Sequence, residues 1–399
     1  MTAFITPKEL NIGIDVGSVN HAIAISDDQG NILQEFEISH TSQGFTSFFK
    51  TIEKISHSHR ATVSIAMEGY NGWARPLDGL IQERGYRLYN VNNVKLARFK
   101  EIFPGAAKTD QIDARKIVEL FALQKHLPAS KKVLQEIMPF DDINTKLKKL
   151  TRRRKQLVQE KVALISRFST ELQGVAPDLK LMTTAVDNLW FLRFVTLRED
   201  IRDLIRVHSS TILKIKHLGP MKIALIQAWK EQATFSPDLE YTAPMLYEDA
   251  SRILALKEKI NQLQDDVAKL IPLSHIAKTI ETIPGFAAIS AGELAGEIGT
   301  LDRFNNEASL ALYLGMTNLD NSSGKYRGSK RSISTNRHAK MAMITATMKH
   351  IQHVEESKKY LEKKISEGKR YQQGIRSIGR HLVRVIWNMI QQDRAYIVK

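Results

Sequence analysis

The chain has 399 residues, 43% hydrophobic and 25% charged, which is ordinary for a soluble protein and long enough for two or three domains with real cores. A formal charge of +15 suits a polyanion, since Lys and Arg that neutralise phosphates supply most non-specific nucleic-acid affinity; an anionic membrane surface is the other partner class. The absence of cysteine excludes disulfides, thiolate catalysis and thiolate zinc sites, and fits a reducing cytoplasm; without a signal-peptide pattern or an apolar run of about 18 residues, neither secretion nor a membrane span is expected.

Residues 10–38 predict a three-strand meander: Leu10–Asp15, His21–Ser26, the turn Asp27-Asp28-Gln29-Gly30-Asn31, then Ile32–Ile38. A helix fits Ser42–Ser56, a strand Ala61–Met67, a helix Trp73–Arg84 closed by Gly85, and a strand Tyr86–Val91, with helices through Lys125. Strands separated by helices after an opening meander match a ribonuclease H-like order. Four acids sit where such a fold wants metal ligands. Asp15 ends Asn11-Ile12-Gly13-Ile14-Asp15, and Glu68 ends Val63-Ser64-Ile65-Ala66-Met67-Glu68. Asp110 and Asp113 lie three apart in Lys108-Thr109-Asp110-Gln111-Ile112-Asp113-Ala114-Arg115, on one face of a starting helix. Carboxylates converging at strand ends beside a helix can hold two Mg2+ ions roughly 3.5–4 Å apart, the clamp used in phosphodiester chemistry. A lone strand-end Asp is usually a turn or cap residue, but four in this order would repel one another without a cation. They are the catalytic and metal-binding candidates. The turn Asp15-Val16-Gly17-Ser18 also opens actin-like ATPases and sugar kinases. Those repeat the domain with a second Asp-x-Gly-Thr turn, which is absent after residue 150, and they have no use for the positive charge.

From about 140 the texture becomes helical. Ile143, Leu147, Leu150, Leu157, Leu164 and Phe168 (or Leu172) form a coiled-coil-like stripe, and Leu256, Ile260, Leu263, Val267 and Leu270 form a second, so that the two helices pair antiparallel or dimerise. Lys146, Lys148, Lys149, Arg152, Arg153, Arg154 and Lys155 crowd the other face of the first. Charge runs are usually solvated faces, but seven cations in ten residues of a basic chain favour nucleic-acid backbone contact. Residues 180–250, with Trp190, Phe191, Phe194 and Trp229, read as a small helical insertion with an aromatic core. Ile283-Pro284-Gly285-Phe286 resembles a helix-hairpin-helix turn, whose amides can meet a phosphate. Asn321-Ser322-Ser323-Gly324-Lys325-Tyr326-Arg327-Gly328-Ser329-Lys330-Arg331 reads as a polar, basic loop. The nucleic-acid candidates are Lys146, Lys149, Arg152, Arg153, Lys325, Arg327, Lys330 and Arg331. A serine before glycine is most often a turn residue, so Ser323 alone proves nothing.

Taken together, Ile12–Asp15 with its meander, Ala66-Met67-Glu68, Lys108-Thr109-Asp110-Gln111-Ile112-Asp113-Ala114, Ile283-Pro284-Gly285 through Arg303-Phe304, Leu312-Tyr313-Leu314-Gly315-Met316, Ser323-Gly324, Gly368-Lys369 and Arg380-His381-Leu382 carry a family resemblance. The chain resembles the DEDD transposases of the insertion-sequence one-hundred-ten type, related to Piv-type DNA invertases, over about 10–125 and 277–390. The resemblance implies a RuvC-like domain whose Asp15, Glu68, Asp110 and Asp113 bind Mg2+. It also implies that Ser323 attacks DNA to form a covalent phosphoserine intermediate. A structured non-coding guide RNA and composite sites between protomers come with it. The helical middle looks longer than usual for the family. Ile333-Ser334-Thr335-Asn336-Arg337 stands where the family tends to show Ser-Lys-x-Gly-Asn, and Ser322 adjoins Ser323.

The expected architecture is α/β plus α: a ribonuclease H-like (RuvC-like) catalytic domain over 1–130, a helical coiled-coil middle with an insertion over 131–276, and an α-rich C-terminal transposase domain over 277–399 with the Pro-Gly turn and the serine loop. The expected function is a DNA transposase or recombinase, cytoplasmic and nucleoid-associated in a bacterium or archaeon. Its expected partners are DNA, a guide RNA and further copies of itself as a dimer or tetramer, with no membrane. The alternatives are a metal-dependent junction-resolving nuclease with the same acids but no serine intermediate, and a non-enzymatic nucleic-acid scaffold.

Overall fold

A computed structural model describes residues 8–70, 72–102, 109–126, 133–138, 141–216, 218–330, 332 and 335–397. The chain divides into two units, Met1–Pro139 and Phe140–Lys399.

In the first unit, β1 (Lys8–Val16), β2 (Asn20–Ser26) and β3 (Ile32–Ser39) form the meander; α1 (Ser42–His59) leads to β4 (Ala61–Met67), and α2 (Arg75–Glu83) leads to β5 (Arg87–Val91). The helices α3 (Asn93–Ile102) and α4 (Asp110–His126) precede a short β6 (Leu134–Glu136). The sheet order is β3-β2-β1-β4-β5-β6, with β1 parallel to β4 and β4 parallel to β5, and the other pairs antiparallel. The meander and helical crossovers follow the expected order. β6 has no counterpart in the expected order, because three residues are too few to show a period. The helix expected from Trp73 starts at Arg75, with Pro76 in its first turn, so Trp73 lies in the preceding turn.

Alternation along the strands decides what covers each face. Ile12, Ile14, Ile23, Ile25, Ile65 and Met67 share one face with Phe45, Phe48, Phe49 and Ile52 of α1 and with Leu77 and Ile81 of α2. The intervening residues are small. Gly13 pairs with Ala24 and with Ala66, and on this face Ala22 and Ala24 meet Ala114 and Val118 of α4. Bulk on one side and near-absence of side chain on the other let α4 lie almost on the backbone. A Cβ added to Gly13 would stand 2.4 Å from the Ala114 carbonyl oxygen and 2.9 Å from a Val118 methyl.

Among its described residues the second unit is helical apart from one hairpin. It comprises α5 (Asp142–Val175), α6 (Pro177–Leu181), α7 (Leu189–Val195), α8 (Ser209–Ile212), α9 (Pro220–Gln232), α10 (Leu239–Leu270), α11 (His275–Glu281), α12 (Ala288–Ile298), α13 (Glu307–Tyr313), β7 (Leu319–Ser323), β8 (Tyr326–Lys330), α14 (Arg337–His353), α15 (Glu355–Ser366) and α16 (Tyr371–Gln391). The two apolar stripes meet within one chain: Leu157 packs with Ile260 and Leu263. Pairs of Arg154 with Gln264, Glu160 with Arg252 and Arg167 with Asp249 descend α10 as they climb α5, so the helices are antiparallel. Farther along, Phe168 and Leu172 join Trp190, Phe191, Phe194 and Trp229 in an aromatic cluster. Near its start, Leu147 of α5 joins Val267 and Ile271 and the helices from α11 onward, so residues on both sides of 276 share one core. Among the described residues no helix is long and apolar enough to cross a membrane.

Gly13→Ala is expected to push α4 off the sheet at a cost of about 1–3 kcal/mol, the usual range for overpacking. Gly79→Ala in α2, where a Cβ meets nothing within 4 Å, should be neutral or stabilising. Thermal denaturation of both variants checks this, and an unchanged Gly13→Ala would refute the close approach.

Candidate active site

The same alternation aims the acids. Asp15 lies two residues beyond Gly13 and Glu68 two beyond Ala66, so both leave the sheet on the α4 side. The Glu68 amide donates to the Ile14 carbonyl oxygen at 3.3 Å, which carries the β1–β4 pairing one step further and sets the two acids side by side. Asp110 and Asp113 occupy the first turn of α4, immediately before the Ala114 that rests on Gly13. Asp15, Glu68 and Asp113 line a cleft of about 570 Å3, with Trp73, Asn93, Leu96 and Lys100 among its walls. Asp110, more exposed, takes part through its charge.

Partial burial, then repulsion from Asp113, Asp110 and Glu68, push the Asp15 carboxyl from 3.8 up to about 6, and Lys100 pulls the other way. The Lys100 ammonium, from α3, donates to Asp113 Oδ2 at 2.8 Å. Among the described residues no three His, Asp or Glu side chains are grouped closely enough to hold one ion as they stand. The chemistry of the set nevertheless fits a divalent cation: four carboxylates are hard oxygen donors, and their mutual repulsion is what a cation relieves.

Ser323 lies in the other unit, at the end of β7. The expected loop is a hairpin: Ser323 pairs with Tyr326 across the two-residue turn Gly324-Lys325, and Ser322 pairs with Arg327. Of the two turn residues Gly324 takes the positive φ, 55°, the pattern of a type II′ turn with glycine first. All of β7 is exposed, as are Lys325, Arg327 and Lys330. Arg331 falls outside the described residues. The two serines face opposite sides of the ribbon, which separates their roles physically.

The basic face of α5 is less available than its charge count suggests. Arg152 makes a two-point pair with Glu297 of α12 at 2.6 and 2.9 Å, Lys148 stands 4.0 Å from the same carboxylate, and Lys146 pairs with Asp142 at 2.6 Å. Asn336 donates to Glu297 at 2.8 Å and to the Tyr313 hydroxyl at 2.7 Å, while its side-chain oxygen caps α14. Burial opposes the charge of Glu297, but the Arg152 hydrogen bonds, Lys148 and Asn336 hold its carboxyl below the usual range. Arg152 therefore ties α5 to α12 and is not a free cation; Lys149 and Arg153 remain exposed. The Pro-Gly turn does join two helices, α11 and α12. It also packs inward: His350 of α14 hydrogen-bonds the Pro284 carbonyl oxygen at 2.8 Å.

Lys100 and Trp73 escaped the sequence reading. A single lysine among 58 Lys and Arg gives no signal. For Trp73 there is one, an aromatic in a glycine-rich turn directly after Glu68, which the helix expected over Trp73–Arg84 obscures.

In divalent-free buffer at pH 8, Asp15→Asn is expected to raise Tm by about 2–5 °C, since it removes a half-buried charge that three neighbours oppose. Because the folded pKa of Asp15 lies above its unfolded value, the folded state binds the extra proton. Wild-type stability should fall as pH rises from 3.8 to about 6 and then level off, a slope that Asp15→Asn should lose. Lys100→Met should lower Tm under the same conditions. Calorimetry with chelator checks all three, and equal Tm values across the set would contradict the electrostatic coupling.

Two family models match this chain: one for DEDD-type IS110 proteins, described as "Transposase", over residues 12–177, and one described as "Transposase IS116/IS110/IS902 family" over residues 277–362. Curated relatives include the IS116 insertion-element 44.8 kDa protein of Streptomyces clavuligerus, 22% identical across 96% of this chain and 95% of its own length. The IS900 insertion-element 42 kDa protein of Mycobacterium paratuberculosis is also 22% identical, across 96% of both chains. The IS110 insertion-element 43.6 kDa protein of Streptomyces coelicolor is 21% identical across 96% of this chain and 95% of its own length. Among solved structures, T. thermophilus RuvC in complex with a Holliday junction substrate is similar over 32% of this chain and 99% of that one, at 13% identity and a TM-score of 0.23. The two family models together span more than half of the sequence, and the chain belongs to the IS116/IS110/IS902 family of transposases.

Proposed function

We propose that this transposase cuts and rejoins DNA with two sets of groups: the carboxylates Asp15, Glu68, Asp110 and Asp113, and the hydroxyl of Ser323. The observation that carries the reading is the convergence of Asp15, Glu68 and Asp113 on one cleft, with the Asp15 carboxyl raised to about 6 by burial and by the other three acids. Such a cluster is unfavourable for folding alone and is suited to a charged ligand. The four acids would hold divalent cations, Mg2+ by their oxygen chemistry; when bound, the ions supply positive charge for a phosphodiester and its departing oxygen. Asp113 is then free to exchange Lys100 for that ligand set.

Ser323 is the nucleophile in this reading. Its Oγ forms a bond to phosphorus as a backbone P–O bond of DNA breaks, and the departing sugar oxygen takes up a proton. Attack by a sugar hydroxyl from the new partner strand reverses the step, releases the serine and conserves the number of phosphodiester bonds. Exposed Lys325 and Arg327 on the same hairpin offset phosphate charge. The Ser323 side of the ribbon, beside Tyr326, is the reactive one, and Ser322 is not. A structured guide RNA and a homo-oligomer complete the proposal; the charge of +15 supports a large polyanionic partner set.

Recombination in cells carrying the gene with its native flanking DNA, read by PCR across circular or inverted junctions, tests this. Wild type should give junctions, and Ser323→Ala and Asp15→Ala should each lower them at least about a hundredfold, as loss of a nucleophile or a charge-stabilising group does. Junctions that persist in Ser323→Ala would remove the serine step and leave a resolvase-like nuclease using the acids alone.

A further inference from the structure

We propose that Trp73 is a nucleobase-stacking residue: its indole forms one wall of the acidic cleft and holds an unstacked base next to the phosphate under attack. This rests on the DNA-cutting function proposed above and adds a residue that reads the substrate as a nucleotide rather than as a bare phosphate.

Trp73 is 68% exposed, whereas Trp190 and Trp229 are buried and Trp387 is packed against the C-terminal core. A lone exposed aromatic is ordinary on a protein surface. Two observations set this one apart. First, it shares the cleft with Asp15, Glu68 and Asp113, and Leu96 adds apolar surface there, so acids and base-sized apolar walls lie in one recess. Its volume of about 570 Å3 falls within the roughly 300–1,000 Å3 typical of small-ligand sites.

Second, the backbone on both sides of the indole is hydrogen-bonded while the residue itself is largely exposed. Upstream, the Glu68 amide is bonded to Ile14 and the Gly72 amide donates to the Gly69 carbonyl oxygen at 2.9 Å. Arg75 Nε donates to the Gly72 carbonyl oxygen at 2.9 Å. Downstream, Ala74 is fully buried and its carbonyl oxygen accepts from the Asp78 amide at 2.9 Å, locking the start of α2. The turn thus fixes Trp73 relative to Glu68, without using the ring to fill the core. A flat, rigid, apolar ring held at the mouth of a phosphate-processing cleft is a stacking platform; every base has a π-face, so the contact tolerates sequence.

Titration of the full chain with a single-stranded oligonucleotide from the element's end, in calcium or chelator so that the strand stays intact, separates the outcomes. Wild-type tryptophan emission should be quenched on binding, and Trp73→Phe should lose that quenching while keeping affinity within about threefold. Trp73→Ala should weaken binding about tenfold to a hundredfold, the range for loss of one base–aromatic stack. An abasic residue at the stacked position should weaken wild type by the same factor and leave Trp73→Ala unchanged, because the two changes remove one contact. Asp15→Asn should keep the quenching even though it cannot cut. Unquenched wild-type emission at saturation, or a Trp73→Ala affinity within twofold of wild type, overturns the proposal. Quenching of a wild-type chain that gives no recombination junctions in cells would instead refute the cutting function and leave Trp73 a nucleic-acid contact.

Discussion

The arrangement of the first unit depends on how closely α4 approaches the sheet. At Gly13 the strand offers α4 a bare backbone, and Ala22 and Ala24 on the neighbouring strand keep the surroundings shallow. The acids inherit their positions from that contact. Asp113 immediately precedes the Ala114 that rests on Gly13, and Asp15 is the next residue along the same face of β1. Any bulk at Gly13 would lift Asp113 away from Asp15 and separate the two halves of the cluster. The constraint is a matter of sequence parity: alternate residues are large on the α1 side and small on the α4 side, so one strand supplies a core on one face and an acidic edge on the other.

That edge works against folding. Partial burial, then three neighbouring carboxylates, raise Asp15 to about 6, and Lys100 counters them. Compare Glu297, more deeply buried, whose charge is met by Arg152, Lys148 and Asn336 and whose carboxyl is held down. These two carboxyls thus shift in opposite directions. Where the partners are built in, the acid knits helices together. Where most of the partners are other acids, the charge is left for a ligand to meet, which is the pattern that motivates the function proposed above.

Much of this was legible in the sequence because it is written in short periods. Alternation gave the five main strands, and the three-residue spacing of Asp110 and Asp113 gave their common helical face. What was not legible depends on tertiary partners. Lys100 looks like any other lysine until α3 is laid beside α4. The Ser323 segment is polar on both sides, so no alternation marks it as strand; its hairpin rests on turn chemistry, with Gly324 in the first turn position. Leu77, Leu80 and Ile81 follow Trp73 at helical steps and extend the helical pattern back to it, yet Pro76 favours a start at Arg75. The stripes on α5 and α10 were visible, but sequence cannot distinguish a partner helix in the same chain from one in another copy.

The basic face of α5 shows why counting charge overstates a binding surface. Seven cations within ten residues suggest a continuous rail for phosphates, yet a helix spreads those residues around its axis and its neighbours claim several. Arg152 and Lys148 turn toward Glu297, Arg154 toward Gln264, and Lys146 pairs with Asp142 one turn away. A guanidinium already held by a buried carboxylate must abandon that acid before it can hold a phosphate, and leaving the acid buried and unpaired is costly. The cations left exposed are consequently fewer than the run itself suggests. Lys149 and Arg153, four apart on the exposed side, fit one face of the helix, and Lys325, Arg327 and Lys330 stand on the exposed hairpin. Arg152 and Lys148 hold α5 against α12 and Arg154 holds it against α10, so the one long helix that passes through the aromatic cluster, the antiparallel seam and the C-terminal core spends part of its charge on its own packing.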